Sequence, residues 1–159
     1  MCGDRNWTDK ELIRTVFLAL PKVSVLIEGE ARGADILSRE VALENGVAVL
    51  QFPALWQKYH RAAGPIRNTQ MLEEGKPDIV IAFHDNLAES KGTLNMVNQS
   101  FHARKIVVKV SHEEVIMPLK TIKILNKTQD EIYETLKKSF IALLEEYHKV
   151  KMDYQKKLC

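Results

Sequence analysis

The sequence is poor in cysteine and has no long hydrophobic run, and both facts exclude large classes of protein. Two of the 159 residues are cysteines, Cys2 and Cys159, so neither a disulfide framework nor a Cys-x-x-Cys zinc site is predicted. No run of about 18 apolar residues is present, which argues against a membrane-spanning helix. The first residues lack the basic-then-apolar pattern of a secretory signal. We therefore expect a reducing, cytoplasmic setting without membrane attachment.

An excess of charge of either sign is also lacking. The chain has 23 Lys and Arg against 21 Asp and Glu, a net charge of +2, which disfavours nucleic acid as the main partner. The five histidines show no metal-binding spacing, so we expect neither a metal nor a cofactor. A hydrophobic fraction of 45% and a charged fraction of 28% are ordinary for a globular protein.

Short apolar runs alternate with amphipathic segments over the first two thirds of the chain. This pattern predicts βαβ units, and hence an α/β fold with a mostly parallel sheet flanked by helices. A capping box of Thr8 and Glu11 precedes the first helix. The predicted strands are 23–27, 47–52, 79–83 and 105–110. The first predicted helix starts at the Thr8 cap and ends before Pro21, and the others are 34–45, 66–74 and 92–104, with a short helical piece at 54–60.

The last third of the chain has a different pattern. A strand is predicted at 121–125, and an apolar stripe with helical spacing then runs from Ile132 to beyond Tyr154, which indicates a long amphipathic C-terminal helix. We therefore divide the chain into a domain at 1–112 and a C-terminal extension at 113–159. The extension is expected to pack on the same domain or on a partner subunit, which would make the protein a homo-oligomer.

Three glycine-containing segments follow predicted strands or lie in the loops between them. They are residues 28–35, 63–72 and 90–93. Ligands bind at the carboxyl ends of parallel strands, and a helix start with exposed backbone N–H groups favours a phosphate. Arg32 adds a cation that can contact a phosphate. The alternative in each case is an ordinary turn or a helix cap.

Arg67 is predicted to lie in the first turn of its helix, where the helix dipole disfavours a cation. Two explanations fit this placement. In one, Arg67 holds an anionic ligand beside the free backbone N–H groups. In the other, it pairs with a neighbouring carboxylate, and the residues alone leave both open.

Aromatic residues cluster in sequence near these segments. We expect most of them to pack in the core or at its rim, and stacking on a nucleotide base is the alternative for some. They are Trp7, Phe52, Trp56, Tyr59 and Phe83.

Six short blocks occur in the order typical of one family. They are Gly-x-Arg-x-Trp at 3–7, Ala-Arg-Gly-Ala-Asp at 31–35, Phe-Pro-Ala-x-Trp at 52–56, Ala-Gly-Pro-Ile-Arg-Asn at 63–68 with Met-Leu at 71–72, Pro-Asp at 77–78 and Gly-Thr at 92–93. Through them, residues 1–110 resemble the small YspA-type, YpsA-related family of the SLOG superfamily. These proteins are related to the Lonely Guy phosphoribohydrolases and to DNA-processing protein A.

The resemblance implies a Rossmann-like fold with a pocket for a nucleotide or an ADP-ribose-like molecule, which the protein would sense or sequester. Three departures from the family pattern stand out. The first block begins at Gly3, so most of the first strand is expected to be missing or replaced, and Glu30 stands where the family usually has glycine. The usual glycine-rich turn before Gly-Thr is replaced by a longer polar loop at 84–91. The implied ligand-binding residues are Gly3, Arg5, Gly29, Arg32, Gly33, Asp35, Arg67, Asn68, Gly92 and Thr93.

The resemblance favours binding over catalysis. Lonely Guy enzymes carry Gly-Thr-x-x-Glu, and Met96 stands at the position of that glutamate. The alternative is a nucleotide N-glycosidase that uses Glu28, Asp35 or Glu89 instead. A third hypothesis, binding of single-stranded DNA, is disfavoured by the nearly neutral charge.

Overall fold

A computed structural model of the chain describes residues 1–20 and 23–116, with isolated residues between 134 and 149. Strands and helices alternate along this part, as the sequence predicts. The strands are β1 (Cys2–Gly3), β2 (Val25–Glu28), β3 (Ala48–Gln51), β4 (Ile79–Phe83), β5 (Ile106–Val110) and β6 (Val115–Ile116). The helices are α1 (Lys10–Ala19), α2 (Ala34–Glu44), α3 (Trp56–Tyr59), α4 (Ala63–Glu73) and α5 (Lys91–His102).

The strands form two parallel groups that lie side by side. One sheet has the order β1-β4-β5-β6, with only β6 antiparallel, and the other pairs β2 with β3. The amino group of Met1 donates a hydrogen bond to the carbonyl oxygen of Ile27 at 2.6 Å. This bond connects β2 to the residue that directly precedes β1. The resulting order, β3-β2-β1-β4-β5-β6, is that of a Rossmann-like sheet.

The strand β1 has two residues. β1 pairs with only the last two residues of β4, Ala82 and Phe83. A cavity of about 390 Å³ lies between the amino-terminal halves of β2 and β4, and Met1 contributes to its lining. Leu26 and Val80 line this cavity from the two strands. β1 therefore lies between β2 and β4 only near the carboxyl ends of these two strands.

Apolar layers cover both faces of the sheet. Side chains alternate along β4: Ile81 and Phe83 pack in the cluster with residues of α1 and α2, whereas Val80 and Ala82 pack in the cluster with residues of α4 and α5. This alternation follows from the two-residue repeat of a strand. It explains why β4 is apolar throughout, since a parallel sheet is buried on both faces.

Two predicted helix starts are wrong. Asp9, not Thr8, caps α1, because its carboxylate accepts a hydrogen bond from the backbone N–H of Leu12 at 2.8 Å. Helix α4 begins at Ala63, so Arg67 lies in its second turn. Pro65 is tolerated after the start because the first backbone N–H groups of a helix have no intrahelical acceptor.

Other expectations about the ends of the elements have mixed outcomes. Gly46 has a φ of 69° just beyond α2, which confirms the predicted left-handed cap. The sequence did not predict β6. The predicted strand at 121–125 and the long C-terminal helix lie outside the described residues, apart from isolated positions between 134 and 149. In the part of the chain that the structure describes, no helix is long and apolar enough to cross a membrane.

The cap of α1 can be tested directly. We expect Asp9→Ala to lower the free energy of unfolding by about 1 kcal/mol, because an N–H group of the first turn loses its acceptor. Asn caps helices as well as Asp does, so Asp9→Asn should retain most of the stability. The matched control, Thr8→Ala, should change it by less than about 0.5 kcal/mol. Urea unfolding of the three variants measures these changes. A larger loss of stability for Thr8→Ala than for Asp9→Ala would contradict the assignment of Asp9 as the cap.

Candidate functional site

The loops that follow β1 and β2 meet the start of α5 at the carboxyl end of the sheet. The backbone N–H of Ala34 donates to the carbonyl oxygen of Asp4 at 3.1 Å. The hydroxyl of Thr93 donates to the carbonyl oxygen of Gly3 at 3.1 Å. These bonds bring three segments that are far apart in the sequence to one place, which is where a Rossmann-like sheet binds ligands.

Two glycines allow this close approach. A Cβ atom on Gly3 would lie 2.4 Å from the carbonyl oxygen of Phe83 and 2.7 Å from the Cβ of Ala34. Gly33 has a φ of 75°, and a Cβ there would lie 2.4 Å from the carbonyl oxygen of Asp4. Any side chain at either position would push the loops apart, so both glycines are needed for the fold itself.

Asp35 shapes the loop after β2 from within. Its buried carboxylate accepts hydrogen bonds from the backbone N–H groups of Gly29 at 3.0 Å and Ala31 at 3.4 Å. Burial raises the pKa of Asp35, and the positive charge of Arg67 opposes that shift. The carboxylate therefore holds the loop rather than facing solvent.

Arg67 has the structural role that the sequence left open. Its side chain is only 13% exposed, and its guanidinium lies 3.9 Å from the Asp35 carboxylate. It also donates to the carbonyl oxygen of Gly29 and, at 3.1 Å, to the side chain of Asn68. A Cβ on Gly29 would overlap this guanidinium, which explains the glycine. Pairing with a neighbouring carboxylate is thus observed.

Sequence reasoning missed Arg39. Its guanidinium donates twice to one oxygen of the fully buried Glu28, at 3.0 and 2.7 Å. The other Glu28 oxygen accepts from the backbone N–H of Glu30 at 2.6 Å. Glu30 has a φ of 57°, a left-handed conformation that costs a non-glycine residue about 1–2 kcal/mol. The available signal was spacing, since Arg39 lies one helical turn after Asp35 on the same face of α2.

At the start of α5, buried hydrogen bonds hold the backbone in place, whereas Gly92 has free space beside it. The amide of buried Asn68 donates to the carbonyl oxygen of Gly92 at 3.2 Å and to the side chain of Asn95 at 3.0 Å. The hydroxyl of Ser90 accepts from the backbone N–H of Thr93 and caps the helix. A Cβ on Gly92 would meet nothing within 4 Å. Packing therefore does not require a glycine at 92.

Two exposed arginines lie beside these loops. Arg32 donates to the side chain of Asn6 at 3.5 Å. The guanidinium carbon of Arg5 lies 5.7 Å from the ring centroid of Trp56. Unlike Arg39 and Arg67, these residues have side chains directed to the surface. Arg5 and Arg32 are therefore the more accessible cations beside these loops.

The carboxylates named for an N-glycosidase are all engaged. Glu28 and Asp35 hold the loop after β2, and exposed Glu89 accepts a hydrogen bond from Asn86 at 2.7 Å. Met96 is buried in the core. None of the ten predicted ligand residues lines the cavity between β2 and β4. Among the described residues, no group of three or more His, Cys, Asp or Glu is arranged to hold a metal ion.

Removing the side chain of Arg67 should destabilise the protein. We expect Arg67→Ala to lower the free energy of unfolding by about 2 kcal/mol or more, because a buried carboxylate and a backbone carbonyl lose their partner. Arg32→Ala, the exposed control, should change it by less than about 0.5 kcal/mol. Chemical unfolding measures both, and equal small effects would show that Arg67 is not a structural residue.

Comparison with known proteins connects the site to a family. Neither curated proteins nor solved structures gave a match to the chain. Residues 1–59 match the family model described as the YspA, cpYpsA-related SLOG family. The matched residues include the loop after β1, the loop after β2 and the segment that leads to Trp56, so they cover a large part of the site. Over these residues, the chain is therefore similar to the YspA, cpYpsA-related SLOG family.

Proposed function

We propose that the protein binds a phosphate-bearing, nucleotide-derived small molecule at the carboxyl end of the sheet, and that it senses or sequesters this molecule. One observation carries the proposal. Buried side chains and glycines hold three loops at one end of the sheet, and exposed Arg5 and Arg32 lie beside them. The similarity of residues 1–59 to the SLOG family model supports a nucleotide-related ligand.

In this proposal, the residues of the site have two kinds of role. Four residues fix the conformation of the loops and thereby position the backbone groups that contact the ligand. They are Gly3, Gly33, Asp35 and Arg67. The phosphate lies near the starts of α2 and α5, where the helix dipole favours an anion. Arg32 and Arg5 supply charge-assisted hydrogen bonds, which are stronger than neutral ones. Gly92 lets the ligand approach the backbone of α5.

Binding without turnover fits the carboxylates better than hydrolysis does. A general acid must reach the bond that it protonates, yet Glu28 and Asp35 are buried and hydrogen-bonded. Glu89 is exposed and hydrogen-bonded to Asn86. A ligand that leaves the site chemically unchanged is therefore the expectation.

A ligand panel tests the proposal. We expect at least one of the nucleoside 5′-phosphates, dinucleotides, ADP-ribose and cyclic ADP-ribose isomers to raise the melting temperature. A ligand at 100 times its dissociation constant adds about 2.7 kcal/mol of stability. Mass spectrometry of the same samples should show intact ligand, and release of base and ribose phosphate would instead support an N-glycosidase. A folded, ligand-free protein that responds to no member of the panel would contradict the proposal.

Gly92 offers a second test, because its role in binding can be separated from its role in folding. Gly92→Ala should leave stability unchanged or raise it by up to about 1 kcal/mol, since the alanine meets no neighbour and lowers the entropy of the unfolded chain. Affinity for the panel ligand should fall by about tenfold or more, a loss of about 1.4 kcal/mol. Asn98→Ala, exposed in the same helix, is the control. If the wild type and Gly92→Ala bind the panel ligand with equal affinity in calorimetric titrations, Gly92 is not part of the binding site.

A further inference from the structure

The structure separates one aromatic side chain from the others near the site. Trp7 is 4% exposed and Phe83 is fully buried, and both pack in the core. Trp56, by contrast, is 48% exposed. About half of this tryptophan thus faces water, although a tryptophan contributes most to stability when it is buried. A single exposed apolar side chain is common at a protein surface, so the neighbours of Trp56 must show whether it has a binding role.

The position of Trp56 connects it to the proposed phosphate loops. The Arg5 guanidinium lies over its ring, and a Cβ on Gly33 would lie 2.6 Å from the backbone carbonyl of Arg5. Arg5 therefore adjoins Gly33 through its backbone and Trp56 through its side chain. The ring is also supported from the start of α4, where a Cβ on Gly64 would lie 3.5 Å from the indole.

We infer that Trp56 and Arg5 form the surface that holds the aromatic base of the ligand. This inference rests on the proposed function and narrows it. A base presents a flat π face that stacks on an indole ring. A guanidinium is planar as well, so Arg5 can stack on the base or bond the adjoining phosphate. The site then selects nucleotides over sugar phosphates that lack a base.

The probes for this inference are AMP and ADP-ribose, which carry a base, and ribose 5-phosphate, which does not. The wild-type protein should bind one of the first two at least tenfold more tightly than ribose 5-phosphate, a difference of about 1.4 kcal/mol. Trp56→Ala should erase this difference and leave the affinity for ribose 5-phosphate unchanged. Trp56→Phe, which keeps an aromatic face, should retain most of it. Phe101→Ala, which removes another exposed aromatic ring, should bind as the wild type does.

Tryptophan fluorescence provides a second readout. The chain has two tryptophans, and Trp7 is buried against the ring of His112, with the ring centroids 4.2 Å apart. A stacked base should quench the emission of the wild-type protein. The quenching should disappear in Trp56→Phe, where only Trp7 emits, and ribose 5-phosphate should quench neither protein.

The outcomes separate this inference from the proposed function. If the wild type and Trp56→Ala bind all three probes with equal affinity, the inference is overturned and phosphate binding stands. If Trp56→Ala lowers the melting temperature and weakens all three probes equally, Trp56 is structural and the inference is again overturned. If the folded wild type binds none of the three probes and no member of the larger panel, the proposed function fails and the inference fails with it.

Discussion

The site depends on one buried contact, that of the Arg67 guanidinium with the Gly29 carbonyl and the Asp35 carboxylate. A carboxylate that is buried as deeply as Asp35 is costly unless a cation and hydrogen-bond donors surround it. Arg67 supplies the cation from α4, and the loop after β2 supplies the backbone N–H groups. The contact thus connects α4, α2 and that loop, and it sets the shape of the surface that we propose for the ligand.

A neighbouring charge pair continues this arrangement. Arg39 neutralises Glu28 at the end of β2, and Glu28 in turn fixes the backbone of Glu30 in a left-handed conformation. Two buried ion pairs therefore lie beneath the surface that we propose for the ligand. The residues above them, Arg5 and Arg32, are exposed and have no structural task of that kind. In the proposed function, binding specificity can consequently change at the exposed positions without loss of the fold.

Local sequence signals predicted the elements whose character depends on their own residues. The apolar run of β4 matches its prediction at both ends, and α2 begins at Ala34, directly after a glycine with positive φ. The start of α1 was missed because Thr8 and Asp9 are both good caps and only packing selects between them. Helix α4 begins earlier than predicted because proline fits anywhere in a first turn. β6 was missed because two residues carry no periodicity.

Within the site, the sequence identified residue types better than it identified their tasks. Glycines after strands were noticed correctly, whereas Arg67 was singled out because it was placed in the first turn of a helix in which it lies in the second. Whether Arg67 faces a ligand or a carboxylate depends on its contact with Asp35, which is distant in the sequence, and spacing does not reveal such a contact. Trp56 was grouped with the core aromatics for the same reason, since exposure is a property of the folded chain.

The two groups of strands are far from continuous next to Met1. A cavity lies between the amino-terminal halves of β2 and β4, and the amino group of Met1 bonds to the carbonyl oxygen of Ile27 at its edge. The loop at 29–33 follows β2, whereas α5 follows β4. In the proposed function, a ligand that contacts both the loop and α5 bridges the two groups of strands. Its binding would stabilise their contact, and by thermodynamic linkage a substitution that weakens their contact would lower the affinity for the ligand.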